Sequence, residues 1–196
     1  RSDINKWIYY KRLGIRYVHE FKNRFSYEVA FERNMENPAG ELRYISEVTE
    51  NPVLSLTTSE IEGVLRWAPH EKYYQGKTGR ASMATKYPVF MLRGKAGFKD
   101  FLGGDYSYQK LYFNVQKRFY LSAFGFTDAV FETGATFGNN LPFPLLDIMR
   151  GNQTFTFQEH AYNMMNFMEF VADRFASVKL EHNFNGVVLN KIPLIS

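Results

Sequence analysis

The chain has 196 residues, and its 24 Lys and Arg against 20 Asp and Glu give a formal net charge of +4. This length suits one sizeable domain or part of a larger one, and the small basic excess is not clustered as a nucleic-acid-binding surface requires. The absence of cysteine excludes disulfide bonds and thiolate chemistry. Aromatic residues make up 17% of the chain, and no apolar stretch approaches the roughly 18 residues that predict a transmembrane helix.

Period-two alternation of apolar and polar residues recurs along the chain and predicts β-strands, whereas helical periodicity is hard to find. The first two predicted strands, 13–22 and 25–34, are separated by a short polar turn, so we expect an antiparallel hairpin. Leu13 and Ile15 share one face of the first strand, and Arg16 lies on the other. Each strand of this hairpin therefore has an apolar face and a polar face.

Two segments then interrupt the alternation. Residues 35–56 contain Pro38 and Pro52 and are predicted to form a long loop. A strand follows at 57–68, with glutamates on one face and aliphatic residues and a tryptophan on the other. Residues 69–87 are ambiguous, because they can form either one long connection or a connection that holds an extra short strand.

The rest of the chain contains the remaining predicted strands. They lie at 88–98, 106–119, 124–138 and 174–184. A glycine turn separates the first two, and a long loop, 138–166, precedes the last. Phe113 and Val115 share one face of their strand, and Asn114 and Gln116 share the other. The pattern thus predicts an all-β antiparallel fold of seven amphipathic strands, with no convincing helix.

Alternation alone does not tell which face of these strands is hidden. In a soluble barrel or sandwich the apolar face points inward, whereas in a transmembrane barrel it meets lipid and the polar face lines the lumen. Strands of about 11–13 residues, tilted near 45°, span roughly 25–30 Å, close to the apolar thickness of an outer membrane. Aromatic residues also gather near the strand ends, as an interfacial girdle requires. They include Tyr9, Tyr10, Trp67, Tyr73, Tyr74, Tyr106, Tyr108, Phe119 and Tyr120.

The sequence therefore favours a transmembrane β-barrel over a soluble one. Lys117 is the residue that fits least well, because it shares the face of Phe113 and Val115. A lysine in mid-membrane would cost about 2–4 kcal/mol, but this one lies at the strand end, where its side chain can reach the interface.

Six segments carry a resemblance to a known family. They are KYPVF (86–90), DYSYQKL (105–111), SAFGFTDAVFETG (122–134), LPFPLL (141–146), MNFMEFVADRFAS (165–177) and FNGVVLNKIPL (184–194). Together they resemble a Bacteroidota outer-membrane family of unassigned function, whose members join a carboxypeptidase-regulatory-like N-terminal domain to a C-terminal barrel. That barrel is similar to the surface-antigen superfamily of BamA and TamA, which handle the assembly and translocation of outer-membrane proteins.

The resemblance also implies a docking site for the long loop 138–166 inside the barrel lumen. In the superfamily, such a loop carries an Arg-Gly-aromatic motif whose arginine contacts acidic groups in the lumen. Here Arg150-Gly151 lies in the corresponding loop, although Asn152 follows where the motif has an aromatic residue. The candidate acidic partners of Arg150 are Asp128, Glu132, Glu169 and Glu181. The alternative is an exposed turn arginine beside a glycine.

The sequence offers no catalytic constellation. The four histidines lack metal-ligand spacing, and Asp128 and Glu132 would lie roughly 13 Å apart on one strand face. The paired carboxylates of a glycosidase are about 5–10 Å apart. We therefore expect no enzyme activity, no cofactor, no metal and no nucleic-acid partner.

The expected function is that of a bacterial outer-membrane protein that assists the assembly, translocation or export of other proteins. Residues 1–196 are expected to be one segment of a larger barrel, with outer-membrane lipid, other envelope or client proteins and the remaining strands of its own barrel as partners. Two alternatives stay open. One is a passive pore or structural subunit of an envelope complex, and the other is a soluble β-barrel that binds an apolar ligand.

Overall fold

The computed structural model describes residues 6–40, 44–45, 52–53, 55–77, 79–83, 85–149, 151, 165 and 170–186. Its strands in chain order are β1 (Lys6–Glu20), β2 (Phe25–Gly40), β3 (Tyr44–Ile45), β4 (Pro52–Val53), β5 (Leu56–Trp67), β6 (Tyr73–Gln75), β7 (Arg80–Ser82), β8 (Val89–Gly97), β9 (Tyr108–Tyr120), β10 (Phe126–Gly138), β11 (Asp147–Ile148), β12 (Val171–Ala172) and β13 (Arg174–Asn183). The helical elements in these ranges are two short 3-10 turns, Ser122–Phe124 and Phe143–Leu145. Within these residues, no helix has the length and apolar character needed to cross a membrane.

The long strands form one antiparallel sheet of seven strands, in the order β1-β2-β5-β8-β9-β10-β13. The short strands form three separate ladders, β3-β4, β6-β7 and β11-β12. In the part of the chain that the structure describes, β1 and β13 are the two edges of the large sheet, which does not close on itself. The predicted all-β antiparallel fold and its seven long strands are confirmed.

The predicted strand boundaries were wrong at the start of the chain. β1 begins at Lys6, not at 13, and β2 continues through Pro38 to Gly40, where a loop was predicted. The pairing of β2 with β5 stops at Glu36, so Pro38 has only β1 beside it among the described strands. A strand tolerates proline at such an edge, because its missing N–H removes no ladder hydrogen bond there. The ambiguous connection at 69–87 holds the short hairpin β6–β7.

The register of the sheet gives it two faces of opposite chemistry. We call apolar face the side that carries Leu13, Ile15, Val29, Ile61, Leu65, Leu92, Leu111, Phe131, Val178 and Leu180, and polar face the opposite side. On the apolar face, Ile15 is 79% exposed and Leu180 is 70% exposed. On the polar face, Glu32 is 7% exposed and Asn114 is 3% exposed. The polar face is therefore the enclosed one, the reverse of what a sheet in a water-soluble domain shows.

Two rows of aromatic residues border the apolar face. The short-turn edge is the end of the sheet that holds the turns 21–24 and 121–125 and the connection 68–88. Its aromatic residues include Phe21, Phe25, Tyr27, Trp67, Phe90, Phe119 and Phe184, and the Trp67 and Phe90 rings stack with centroids 5.8 Å apart. At the opposite end, the long-loop edge, Phe101 contacts Phe31 and Phe98 edge-on at 6.0 and 6.4 Å. Aliphatic side chains, together with Phe113 and Phe131, lie on the face between the two rows.

A small apolar core lies on the polar-face side, near the long-loop edge. Leu56, Tyr108 and Leu145 are its buried members, and Leu141 and Phe143 pack against them. Leu141, Phe143 and Leu145 belong to the loop that follows β10. The described first part of this loop therefore folds back over the polar face.

Replacing Gly125 by alanine should lower the free energy of unfolding by about 1–3 kcal/mol. Gly125 closes the turn between β9 and β10 with a φ of +88°, and a Cβ there would collide with the carbonyl oxygen of Asn183 in β13. Gly63 is the matched control, because a Cβ at that position meets nothing within 4 Å. Urea unfolding in detergent micelles, followed by tryptophan fluorescence, measures both variants. Equal effects of Gly125→Ala and Gly63→Ala would contradict this account of the turn.

Candidate functional site on the polar face

A buried charge network occupies the centre of the polar face. The Lys95 Nζ of β8 lies 2.7 Å from Glu60 Oε2 and 3.4 Å from Glu62 Oε2, both in β5. Asn34 Nδ2 donates a hydrogen bond of 3.3 Å to Glu60, and the Tyr108 hydroxyl donates another. The side chain of Glu60 is 6% exposed, so this carboxylate depends on its three neighbours instead of water.

Glycine gives Tyr108 the room to reach Glu60. Gly97 of β8 pairs directly with Tyr108 of β9, and a Cβ on Gly97 would collide with the Tyr108 ring. The ring therefore lies over the glycine backbone, which is a common use of glycine inside a strand. Gly134 and Phe175 repeat the arrangement between β10 and β13.

A second group of ion pairs joins β1 to β2. Arg16 contacts Glu32 at 3.1 Å and Glu28 at 3.2 Å, and Arg12 contacts Glu32 at 3.7 Å. Glu32 is directly opposite Glu60 in the register of β2 and β5, so two buried carboxylates are neighbours at this level. The arginines from one side and Lys95 from the other compensate their negative charges.

A third group connects β9, β10 and β13. Glu132 accepts hydrogen bonds from the Tyr112 hydroxyl at 2.6 Å and from Asn114 Nδ2 at 3.3 Å, and Lys179 Nζ lies 3.1 Å away. Arg118 donates two hydrogen bonds to Asp128, at 2.7 and 2.6 Å. Each carboxylate of this group thus has a cationic partner on a neighbouring strand.

The loop after β10 adds one carboxylate to the polar face. Asp147 accepts a hydrogen bond of 3.0 Å from the Thr136 hydroxyl and lies 3.8 Å from Lys110 Nζ. Lys110 Nζ also lies 3.5 Å from the Leu146 carbonyl oxygen, at the limit of a hydrogen bond. These polar contacts and the packing of Leu145 fix residues 141–148 against β9 and β10.

A buried carboxylate at the short-turn edge accepts four hydrogen bonds. Glu71 accepts two hydrogen bonds from Arg66, at 2.6 and 2.7 Å, and one each from the Tyr73 and Ser82 hydroxyls, both at 2.5 Å. Its side chain is 1% exposed. Burial alone would raise the pKa of Glu71, but the hydrogen bonds from Arg66, Ser82 and Tyr73 and the charge of Arg66 lower it to about 2.

Glu71 attaches the hairpin β6–β7 to the sheet, because its carboxylate binds Arg66 of β5 as well as Tyr73 and Ser82 of the hairpin. A second contact comes from Arg80, whose guanidinium lies 3.6 Å from the Tyr73 ring centroid and 2.7 Å from Glu20 of β1. Together these contacts hold the connection 68–88 at the short-turn edge of the polar face.

Two concavities lie along the sheet, one at its short-turn edge and one over its polar face. One, of about 490 Å³, lies between the connection 68–88 and the ends of β9 and β10, with Arg66, Met83, Met91 and Arg118 in its wall. The other, of about 390 Å³, lies over β1, β2, β5 and β8, with Arg16, Glu32, Glu62 and Arg93 in its wall. Apart from Lys117 in the wall of the first concavity, the cations of both walls have a carboxylate within 4 Å, so both concavities are polar and carry little unbalanced charge.

The residues predicted to dock the long loop have different surroundings. Asp128 and Glu132 lie on the polar face, where Arg118 and Lys179 are their cationic partners. Glu181 is opposite Asp128 in the register and is exposed, and Gly151 is buried with its N–H donating to the Met149 carbonyl at 3.0 Å. Arg150 and Glu169 lie outside the described residues. The docking of Arg150 on these acids therefore stays a prediction.

Sequence reasoning missed the central network and the Glu71 cluster. Alternation placed Glu60 and Glu62 on one face of β5, and it placed Lys95 on the polar face of β8. It could not show that these residues meet, because the contact depends on the register between β5 and β8. The Glu71 cluster was harder to predict than the central network, because Glu71 lies in a connection that has no alternation of apolar and polar residues.

The described side chains can stabilise a polar wall, and they do not form a metal site. Within the described ranges, no group of three or more His, Asp or Glu side chains is placed to hold a metal ion. Every carboxylate of the central network already forms hydrogen bonds or ion pairs with its neighbours. The arrangement therefore neutralises the charges that are buried on the polar face.

Comparison with known protein families matches residues 12–196 to the C-terminal domain of a family of unknown function, DUF5686. No curated protein matches the chain, and no solved structure matches it. The match spans β1 from Arg12 through β13, and so includes nearly all of the sheet and the polar-face networks. The expected membership in a family of unassigned function is thereby confirmed, and the chain belongs to the DUF5686 family, within its C-terminal domain.

Proposed function

We propose that this chain forms part of the wall of a bacterial outer-membrane β-barrel and has no catalytic role. The apolar face would contact lipid and the polar face would line the lumen. The observation that carries the proposal is the reversed exposure of the two faces. Leu13 is 75% exposed and Val178 is 66% exposed, while Glu60 is 5% exposed and Asn34 is 3% exposed.

An apolar surface of this extent needs a partner. Soluble monomeric proteins rarely expose contiguous apolar patches larger than a few hundred Å², and here the exposed apolar side chains follow all seven strands of the sheet. Lipid is the partner that the two aromatic rows favour, because aromatic side chains border the apolar band of outer-membrane barrels at both interfaces. A soluble barrel with an apolar ligand inside would need the opposite arrangement of faces.

The lengths of the connections favour one orientation of the sheet. The short-turn edge holds the turns 21–24 and 121–125 and one long connection, 68–88, whereas every connection at the long-loop edge is long, at 41–55, 98–107 and 139–173. Outer-membrane barrels have short periplasmic turns and longer extracellular loops. We therefore place the short-turn edge toward the periplasm.

We propose two candidate roles for the barrel. A role in the assembly, translocation or export of other outer-membrane proteins rests on the resemblance to the surface-antigen superfamily. A passive pore or structural subunit of an envelope complex is the second candidate, favoured by the polar face and its concavities. Depletion that lowers the level of other outer-membrane proteins supports the first role, and ion conductance without such an effect supports the second.

Spin labels placed along β9 test the lipid-facing proposal. Labels at Leu111, Phe113 and Val115 should collide with oxygen, which concentrates in lipid, and labels at Asn114 and Gln116 should not. Electron paramagnetic resonance of the reconstituted protein measures these collisions. A water-soluble relaxing agent should show the reverse order along the same strand.

Two other results are possible for the same labels. If neither agent reaches Leu111, Phe113 and Val115, another protein surface covers the apolar face and the proposal is wrong. If the water-soluble agent reaches them, that face is in water and the proposal is wrong again. A label at Lys77, in the exposed turn of the β6–β7 hairpin, is the control for full water access.

A further inference from the structure

Cations on the two faces of the sheet differ in their partners. On the polar face, every cation whose side chain the structure describes has a carboxylate within 4 Å; these are Arg12, Arg16, Arg66, Arg93, Lys95, Lys110, Arg118 and Lys179. The apolar face also carries cations, at Lys11, Arg33, Lys117 and Arg174. None of these has a carboxylate of the described residues within that distance.

Lys117 differs from the other three cations of the apolar face in its position along the strands. Lys11, Arg33 and Arg174 lie toward the long-loop edge, and Lys117 lies toward the short-turn edge. The Arg33 side chain already donates a hydrogen bond of 2.8 Å to the Leu102 carbonyl. Lys117 has Phe119 as its neighbour, with its Nζ 4.7 Å from the ring centroid.

The sheet leaves space beside Lys117. β8 begins at Val89, which pairs with Gln116, so the described part of β8 ends before the level of Lys117. On its other side, Lys117 faces Ala129, whose side chain is small. Tyr87, in the chain that enters β8, lines the same concavity as Lys117, and Lys86 precedes Tyr87 in the sequence. Lys86 Nζ lies 5.6 Å from the Tyr87 ring centroid and likewise has no carboxylate partner in the described residues.

We propose that Lys117 and Lys86 bind the phosphate of an anionic phospholipid headgroup at the short-turn edge. This inference rests on the proposed lipid contact of the apolar face. A lysine buried in hydrocarbon is costly, and the cost falls toward zero where the ammonium reaches the interface and finds an anion. The aromatic row at this edge places both lysines at the level of the headgroups, where each cation attracts anionic lipid by electrostatics.

The test measures phosphatidylglycerol binding to the protein in neutral detergent micelles by native mass spectrometry. Lys117→Gln should raise the dissociation constant of the first bound lipid about fivefold, and Lys86→Gln should have a similar effect. Lys117→Arg should restore most of the affinity, because it keeps the cation. Inorganic phosphate at the same concentration should not compete, since the proposed ligand is the lipid and not a free anion.

Lys77→Gln is the matched control, because it removes one cation from the same end of the sheet in an exposed turn. An equal loss of lipid affinity in Lys77→Gln and Lys117→Gln would overturn the proposal, since the effect would then be one of net charge. Unchanged affinity in Lys117→Gln, or displacement of the lipid by phosphate, would also overturn it. Brominated acyl chains that fail to quench Trp67 fluorescence in vesicles would instead refute lipid contact itself.

Discussion

Lys95→Met should lower the free energy of unfolding by about 3 kcal/mol, because it leaves the buried Glu60 carboxylate without its cation and leaves Glu62 with Arg93 alone. Lys95 Nζ is the ion-pair partner of Glu60 at 2.7 Å and of Glu62 at 3.4 Å. Methionine keeps the unbranched apolar part of the side chain as far as Cε and removes the ammonium group with its charge and hydrogen bonds. We expect the lower end of the usual range for a broken buried pair, because the Lys95 side chain is 23% exposed. Urea unfolding of the protein in lipid vesicles measures the change.

A second variant separates the lost charge pair from a general packing defect. Glu60→Gln added to Lys95→Met removes one stranded carboxylate, so the double variant should be more stable than Lys95→Met alone. Lys99→Met is the control, since Lys99 is exposed in the loop after β8 and its loss should cost less than about 0.5 kcal/mol. A Lys95→Met variant as stable as Lys99→Met would mean that the network does not stabilise the sheet.

The faces of the strands could be predicted from the sequence because side chains alternate with a period of two in any strand. Leu111 and Val115 were therefore assigned to the side opposite Asn114 before any pairing was known, and the register agrees. The environment of each face could not be predicted in the same way. A soluble sheet and a membrane barrel share this period, and only the exposure of the side chains in the assembled sheet shows which face is enclosed.

The extent of the strands was harder to predict than their faces. Pro38 indicated a loop, but β2 continues through it because no described strand pairs with that side of β2. Whether a proline breaks a strand depends on the neighbours of that strand, which the local sequence does not specify. The same limit applies to Glu71, whose partners Arg66 and Ser82 lie on either side of a connection without periodicity.

Glu71→Gln should release the β6–β7 hairpin from the sheet without unfolding the long strands. A glutamine side chain offers one acceptor oxygen where the carboxylate accepts from Arg66, Tyr73 and Ser82, so several donors lose their partner. We expect a loss of about 3 kcal/mol in the local opening free energy, or about a 100-fold fall in amide protection. The Met83 amide reports it, because its hydrogen bond of 2.9 Å to the Lys72 carbonyl holds the end of the hairpin.

The control for this variant is Glu181→Gln, which removes the same charge at an exposed position of β13. Its effect on the Met83 amide should be negligible, and amides of β9 and β10 should keep their protection in both variants. Loss of protection throughout the sheet in Glu71→Gln would show that Glu71 supports the whole fold instead of the hairpin. Unchanged protection would show that the contact of Arg80 with Tyr73 and Glu20 is sufficient.

The same carboxylate should make the hairpin sensitive to acid. Glu71 lies in the connection 68–88, and its pKa falls from an ordinary value of 4.5 to about 2 in the folded protein. A carboxyl whose pKa is lowered on folding stabilises the folded state above its unfolded pKa, and this contribution is lost as the pH falls through the folded pKa. Met83 protection, corrected for intrinsic exchange rates, should therefore be constant above about pH 5 and decline between about pH 4.5 and 2. In Glu71→Gln it should be low and nearly constant over that range, apart from the smaller contribution of Glu20, the partner of Arg80. A decline of the full size in the variant would assign the acid sensitivity to another carboxyl.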